Sequence, residues 1–230
     1  MKTPYDSIAK NFSDTRVYPW KEFSIFHDYC HSGDAFLDIG CGNGRLIASL
    51  ENYREYIGID NSKNLLAEAV KKHPDKTFFY NSMTDLSVVE GKKFDVIFFI
   101  ASFHHLETEA ERLLCLKKVK KLLTDDGVIC LTNWNLFQKK YKKYIWKAMF
   151  HSLFSSRKWN DTFIPFTKNN QEKIWRYYHA FSPKELQGLY RKSGFVIKEE
   201  QFFKKGVPTH HWKESWNICH VIAKNNNESS

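Results

Sequence analysis

Nowhere in this chain do roughly 18 apolar residues run together, the length a membrane-spanning helix needs. Nor do the first ten residues, MKTPYDSIAK, carry the apolar core of a secretion signal. The expectation is a soluble, cytoplasmic protein that is not exported and has no membrane partner. Cysteine is scarce: Cys30, Cys41, Cys115, Cys130 and Cys219 are an odd number with no C-x-x-C spacing, which argues against a disulfide framework and against a zinc site. No metal ligands are assigned. Acidic residues are missing from Gly127 to Asn160, a stretch that holds Lys139, Lys140, Lys142, Lys143, Lys147, Arg157 and Lys158 and so carries most of the formal charge of +9. Tyr141, Tyr144, Trp146 and Trp159 are interleaved with these cations, a composition suited to a polyanion whose bases can stack. A solvated helix face over an apolar underside is the competing reading. Glycine is sparse too, ten in 230 residues, yet Gly40, Gly42 and Gly44 fall within one five-residue stretch.

What is plentiful is apolar and aromatic: 42% hydrophobic residues, with 19 Phe, 11 Tyr and 7 Trp, enough to bury one substantial core. Strand and helix patterns alternate. AFLDIG, EYIGID, KTFFYN, KFDVIFFIA and GVICLTNW read as strands, the fourth apolar enough to be central and buried on both faces. RLIASLEN, SKNLLAEAVKKHP and TEAERLLCLKKVKKLLTDDG between them read as helices, with Ser62 as one N-cap and Thr108 with Glu111 as a capping box. Beyond the basic segment, Ser182, Pro183 and Glu185 open another helix that Gly194 stops, and FVIKEEQFF and WNICHVIAK make two final strands. Alternation of this kind predicts a doubly wound, mostly parallel α/β sheet with ligands at the carboxyl ends of its strands. Segment boundaries are expected at 1–34 (an N-terminal cap) and 35–230 (the main domain), with a basic aromatic insertion at 135–180 and a frayed tail at 225–230.

The glycine loop lets the backbone turn sharply and approach a ligand, and amides at the start of the following helix favour a carboxylate. Asp60 ends the next strand, 20 residues after Gly40, where an acid can accept both hydroxyls of a ribose. Together they point to a nucleoside cofactor, but the loop lacks the G-x-G-x-x-G spacing of a dinucleotide site. LDIGCGNGR, GIDNS and FDVIFFIASFHHLET resemble the motifs of the class I S-adenosylmethionine-dependent methyltransferases. That resemblance implies a Rossmann-like sheet of seven strands, the last antiparallel, and S-adenosylmethionine as cofactor. It implies that Asp38, Gly40, Gly42 and Gly44 lie under the methionine end, that Asp60 holds the ribose, and that Asn61, Ser82, Met83 and Ile100 flank the adenosine. Ser82 stands where relatives usually carry Asp, a weaker acceptor for the adenine amino group.

A narrower resemblance lies outside these motifs. YDSIAKNFSDTRVYPW, IASFHHLETEAERL, FIPF and RYYHAFSPKEL occur in this order and are similar to blocks of the tRNA wobble-uridine carboxymethyl methyltransferases, both the eukaryotic stand-alone form and its fusion to an AlkB-type hydroxylase. The similarity implies methyl esterification of a carboxylate on a modified uridine. Such a carboxylate is ionised at neutral pH and attacks without a general base, so alignment and exclusion of water are what the protein must provide. Arg16 and Arg176 are the candidates to orient it, His104 and His105 stand at the rim of the transfer site, and Tyr177, Tyr178 and His179 offer a wall on which a base could stack. Lys139, Lys140, Lys142 and Lys143 are the candidate backbone contacts. Each has a plainer alternative: Arg16 paired with Asp14, Arg176 with Glu172 one helical turn away, the histidines closing a turn, Phe12 and Trp20 as core aromatics rather than a lid. The expected partners are tRNA and a small zinc-binding activator, which the stand-alone eukaryotic members use, although the sequence has no obvious signature for that contact. A small-molecule methyltransferase acting on a carboxylic acid or quinone, and a non-catalytic binding relic, are the alternatives.

Overall fold

The computed structural model describes residues 3–15, 21–155, 157–167 and 172–225. Its centre is an eight-stranded sheet built from β1 (Ala35–Ile39), β2 (Glu55–Asp60), β3 (Thr77–Tyr80), β4 (Phe94–Ile100), β5 (Leu123–Trp134), β8 (Phe195–Lys204), β9 (Val207–Thr209) and β10 (Asn217–Lys224), in the order β3-β2-β1-β4-β5-β10-β8-β9. β1 to β5 run parallel, and β10 is antiparallel to both β5 and β8. The expected seven strands and antiparallel last strand are all present. One more was not anticipated: β9 folds back on β8 through Lys205 and Gly206, both at positive φ (54° and 77°), the two-residue turn whose twist suits a hairpin.

Alternation along the strands sorts the core into two layers. Leu37, Ile39, Ile97 and Phe99 face Leu116, Val119, Leu186 and Leu189 of the helices α3 (Glu109–Leu122) and α5 (Pro183–Lys192), while Phe36, Val96 and Phe98 face Phe23, Phe26 and Leu46 on the other side. Helix α2 (Lys63–Lys72) starts where the Ser62 hydroxyl accepts from Leu65 N, and α3 where Thr108 and Glu111 form the expected capping box. β5 begins directly at Leu123, four residues before the expected Gly127, because Leu123 already pairs with Phe94 before the register shifts. Ser182 caps α5, but Glu185 does not close a capping box there; its carboxylate turns to His179 instead, at 2.8 Å.

Two further pieces frame the site. The N-terminal segment forms helix α1 (Pro4–Asp14), opened by a Thr3–Asp6 capping box, and α1 packs on α2. Within 135–180 lie helix α4 (Lys142–Ser152) and a separate hairpin of β6 (Asp161–Thr167) and β7 (Lys173–His179). A buried cluster fastens the hairpin: His179 bonds Asp161 through Nδ1 at 2.6 Å and Glu185 through Nε2 at 2.8 Å, with Asn160 beside it. Burial pushes the Asp161 carboxyl up, but the hydrogen bonds of His179 and Tyr177 outweigh it and hold it below the usual range. All five cysteines are free thiols.

Candidate active site

Strand order reverses between β1 and β4, and a ligand crevice is expected where the loops leaving these strands diverge. A cavity of about 380 Å³ lies there, lined by Asp38, Gly40, Cys41, Gly42, Asp60, Asn61, Ser82, Met83 and Ile100 on one side. It is large enough for a nucleoside-sized ligand. Gly42 is at φ 55°, and a Cβ added there would meet only Leu65, at 4.0 Å, so the backbone itself forms the cradle. Gly44 faces elsewhere: a Cβ there would press on His73, Ile47 and Ala69, so this glycine serves packing against α2 and does not line the cavity. The loop runs on into a five-residue 3-10 turn, Arg45–Ser49, not the expected α-helix, and the anion-binding helix start anticipated there is not formed.

Two carboxyl groups define the polarity of this half. Asp38 is 1% exposed; its Oδ2 accepts from the Tyr56 phenol at 2.9 Å, while Oδ1 is buried with no partner. Burial lifts its pKa to about 7, with the Tyr56 hydrogen bond opposing. A buried, unsatisfied carboxylate oxygen on a cavity wall calls for a cationic or donor group from a ligand. Asp60 accepts from Gly42 N at 2.9 Å and from Ser62 N at 2.8 Å, and burial raises it to about 6 against those two bonds. A carboxylate has about four lone-pair sites, so two remain for ribose hydroxyls. Ser82 Oγ is 3.0 Å from Thr84 Oγ1 and stays on the cavity wall. The donor set could hold S-adenosylmethionine, the cofactor the resemblance implies: Asp38 would face its amino group, Asp60 its ribose, and Asn61, Ser82, Met83 and Ile100 its base.

The other half of the cavity is aromatic and basic. β4 is followed by Ala101, a non-glycine residue held at φ 53° by bonds from its amide to Thr132 O and Oγ1, and Ser102, whose hydroxyl donates to Ile39 O at 2.6 Å, leads into the 3-10 turn Phe103–His105. Strained backbone at a cavity rim is where functional groups are commonly aimed. His105 Nδ1 lies 2.8 Å from the Tyr177 carbonyl, which can only accept, so Nδ1 carries the proton and Nε2 accepts from the Tyr5 phenol at 2.8 Å. Burial holds His105 neutral, with its pKa lowered to about 4. The Tyr5 oxygen in turn accepts from Arg176 Nη1 at 3.2 Å. His104 is buried with neither ring nitrogen hydrogen-bonded, stacks on Tyr178 at 5.1 Å, and is held neutral by the same desolvation. Trp134 also stacks on Tyr178, at 5.4 Å.

Arg176 is the chemically distinctive group. It is 4% exposed, lines the cavity, and sits 5.3 Å from the rings of Tyr5 and Tyr178 and 5.4 Å from that of Phe166. Among the described residues no carboxylate lies within 4.0 Å of its guanidinium, and its Nε has no partner. Because β7 is a strand, the helical pairing with Glu172 considered above has no helix to occur on.

The structure therefore gathers Asp38, Gly40, Gly42, Asp60, Asn61, Ser82, Met83, Ile100, His104, His105, Arg176 and Tyr177 around one cavity. Arg16 and Trp20 lie outside the described residues, and so does the tail from 226 onward. His179 is corrected: fully buried and bonded at both nitrogens, it clamps the hairpin and does not reach the cavity. Lys139, Lys140, Lys142 and Lys143 are also outside the cavity, exposed on and before the first turn of α4. Lys158 is paired with Glu109 at 3.1 Å, so not all of the basic segment is free charge. Tyr5 and Trp134 line the cavity unforeseen. For Tyr5 the signal was available, since T-P-Y-D is a capping box with proline at the first helical position.

Residues 37–129 match the family described as methyltransferase domain. Among solved structures, an S-adenosylmethionine-dependent methyltransferase from Clostridium acetobutylicum superposes with a TM-score of 0.69 over 96% of both chains at 14% identity. Another from Methanosarcina mazei gives 0.70 over 87% of this chain and 96% of its own, at 21% identity. Residues 37–129 thus resemble a methyltransferase domain, and the chain has the α/β fold of these solved methyltransferases. Among curated relatives, it is 28% identical over 224 residues to the tRNA (carboxymethyluridine(34)-5-O)-methyltransferase of Schizosaccharomyces pombe, covering 86% of this chain and 89% of that one. The enzyme of the same name from Xenopus tropicalis is 35% identical over 140 residues, 60% of this chain. The chain spans about a fifth of the length of that frog relative (21%).

Proposed function

We propose that this protein methylates the carboxylate of a carboxymethyl-type wobble uridine in tRNA, forming a methyl ester, with S-adenosylmethionine as donor. The observation that carries the reading is Arg176, a buried guanidinium with no carboxylate among the described residues to neutralise it, sharing one cavity with the glycine loop. Holding such a charge away from water is costly without a counter-ion, and a planar carboxylate of the substrate is the group that matches its fork. The names of the curated relatives point the same way.

When bound, S-adenosylmethionine supplies an electrophilic methyl group on a sulfonium centre. The chain's own residues have the remaining work. Arg176 orients the incoming carboxylate, Tyr5 fixes the guanidinium, and neutral His105 fixes Tyr5 through a tautomer set by the Tyr177 carbonyl. No general base is required for a nucleophile that is ionised at neutral pH. Tyr178, Trp134 and His104 make a water-poor wall, and His104 offers two unpaired nitrogens to the base. Arg16 is assigned to the same carboxylate from the sequence pattern. The exposed Lys139, Lys140, Lys142 and Lys143 hold the RNA backbone, the cytoplasm is its compartment, and a small zinc-binding activator completes the reading as a partner.

The test is transfer of labelled methyl from S-adenosylmethionine to tRNA bearing carboxymethyl-type wobble uridine, with and without a candidate activator, followed by mild alkali. Alkali-labile label released as methanol is the expected result. Alkali-stable label in RNA moves the acceptor to a base or ribose atom, and incorporation only into small carboxylic acids refutes the RNA substrate.

A further inference from the structure

Two parts of the chain that are far apart in sequence meet on the outer surface beside the active site. Asn135 is fully buried, and its Nδ2 donates to Trp212 O at 2.6 Å and Ser215 O at 3.0 Å, while its backbone N donates to Trp216 O at 2.9 Å. Its Oδ1 and backbone O accept from Phe137 N at 3.0 Å and from Gln138 Nε2 at 2.7 Å. One asparagine therefore clasps the β9–β10 connection to the segment that leaves β5. Between the two runs an open cleft lined by Phe137, Lys139, Lys142, Trp212 and Lys213. Three ammonium groups surround an aromatic floor, in which Phe137 and Trp212 meet edge to face at 5.5 Å. Among the described residues no acidic side chain lines it and none of these lysines is in an ion pair.

The charge arrangement is unfavourable in the isolated protein. Helix α4 begins at Lys142, its N-cap Tyr141 makes no side-chain cap, and its first turn has no acid. Lys139, Lys140, Lys142 and Lys143 thus crowd the positive end of a helix dipole, where cations are unfavourable and an anion would be stabilised. Position is equally informative. Trp134 lines the methyl-transfer cavity and Phe137 lines the cleft, and three residues of chain span at most about 11 Å. A single strand entering the cavity covers that gap within a couple of nucleotides.

We propose that this cleft is a second RNA-binding site, which takes a nucleotide flanking the acceptor uridine: its base stacks on Trp212 with Phe137 at its edge, and its phosphates lie against Lys139, Lys142 and Lys213. The proposal rests on the RNA reading above and adds to it the strand's path and the involvement of the β9–β10 connection. Sequence pattern alone offered only the lysines of the basic segment; Trp212 and Lys213 join them through the Asn135 clasp.

Binding of a labelled anticodon stem-loop RNA, followed by fluorescence anisotropy across a salt series, tests it. The triple variant Lys139→Ala, Lys142→Ala, Lys213→Ala replaces exposed side chains only. It should weaken binding at least tenfold and reduce the salt slope by about 2, since each single-strand phosphate contact contributes roughly 0.7. Trp212→Leu keeps an apolar side chain under the cleft and should weaken binding roughly tenfold through lost stacking. Cofactor affinity by calorimetry should be unchanged in the triple variant. If the wild type binds with a steep salt dependence and the triple variant matches it in affinity and slope, the cleft is overturned while the RNA reading stands. Absence of salt-dependent RNA binding by the wild type overturns both.

Discussion

Asp38 should make cofactor binding depend on pH, because burial raises its carboxyl to about 7 and leaves one oxygen without a partner. Binding a ligand ammonium beside it favours the ionised form and returns the pKa to the ordinary carboxylate range, so the dissociation constant scales as one plus the ratio of protonated to ionised Asp38. For a free-state pKa near 7, affinity should fall about eightfold between pH 7.5 and pH 6. Asp60, at about 6 in the free protein, adds about a further twofold over the same window if the ribose hydroxyls favour its ionised form. Asp38→Asn should lose the eightfold part and keep the twofold part, while Asp60→Asn should do the reverse. Calorimetric titration with S-adenosylhomocysteine in buffers of different ionisation enthalpy also counts protons: at pH 6 the wild type should release roughly one more than Asp38→Asn. The ligand-free protein should behave accordingly. A raised carboxyl pKa contributes stability that is complete below the unfolded value near 4 and is lost as pH rises through 7, so Asp38→Asn should flatten that decline. A wild-type affinity that does not change from pH 6 to 7.5, or proton release identical in wild type and Asp38→Asn, would refute the assignment of Asp38 to the cationic end of the cofactor.

Arg176→Lys keeps the charge but loses the planar fork, and kcat/KM toward carboxymethyl-bearing RNA should fall tenfold to a hundredfold, the effect of losing a charged hydrogen bond of about 1.5–3 kcal/mol, with cofactor affinity within twofold. Wild-type kinetics in that variant would return Arg176 to a packing role. Tyr5→Phe removes the bridge between Arg176 and His105. It should lower kcat/KM about tenfold and leave the cofactor constant unchanged; a change confined to melting temperature would make Tyr5 purely structural. Asp161→Asn breaks the clasp on His179, and because the Asp161 pKa lies below its ordinary value, the stability it contributes is present above pH 4 and vanishes as pH falls through the folded value. Denaturant titration should therefore show a loss of about 3 kcal/mol at pH 7 that shrinks at pH 3; equal losses at both would contradict it.

The sheet and its flanking helices were legible because their signals are local and repeated. Each of the five parallel strands is a short apolar run bounded by turn residues, and Ser62, Thr108 and Ser182 mark helix starts that the structure reproduces. What was misread depended on competition between partners. Glu185 had the spacing of a capping box, but an unpaired buried imidazole is costlier than an exposed amide, so its carboxylate went to His179. RLIASLEN had helical spacing over only two turns, and the chain settled for a 3-10 turn before β2. β9 was missed because three residues carry no periodicity, although Lys-Gly at a hairpin tip was a usable sign.

The cofactor half of the site was readable for the same reason, since Asp38, Gly40, Gly42 and Asp60 are set at fixed offsets from strand ends. The acceptor half was readable only in part: the resemblance pointed to His104, His105 and Arg176, while Tyr5 and Trp134 were missed, because this half is assembled from segments about 30 to 170 residues apart, Tyr5 on α1, His104 and His105 after β4, Trp134 at the end of β5 and Arg176 on β7. Spacing has nothing to say about such contacts. Yet the structure gives them one logic. Helix α1 is pinned to the cofactor side, where Asp6 Oδ1 accepts from the Ser62 hydroxyl at 2.8 Å, and to the acceptor side, where Tyr5 joins His105 and Arg176. The same eleven-residue helix therefore reports on both halves, and the Ser62 end also supplies a backbone amide to Asp60. A link of this kind holds the Arg176 guanidinium at a fixed place relative to the Asp60 side of the cavity. That is the arrangement a transfer limited by alignment requires, as distinct from one limited by proton removal.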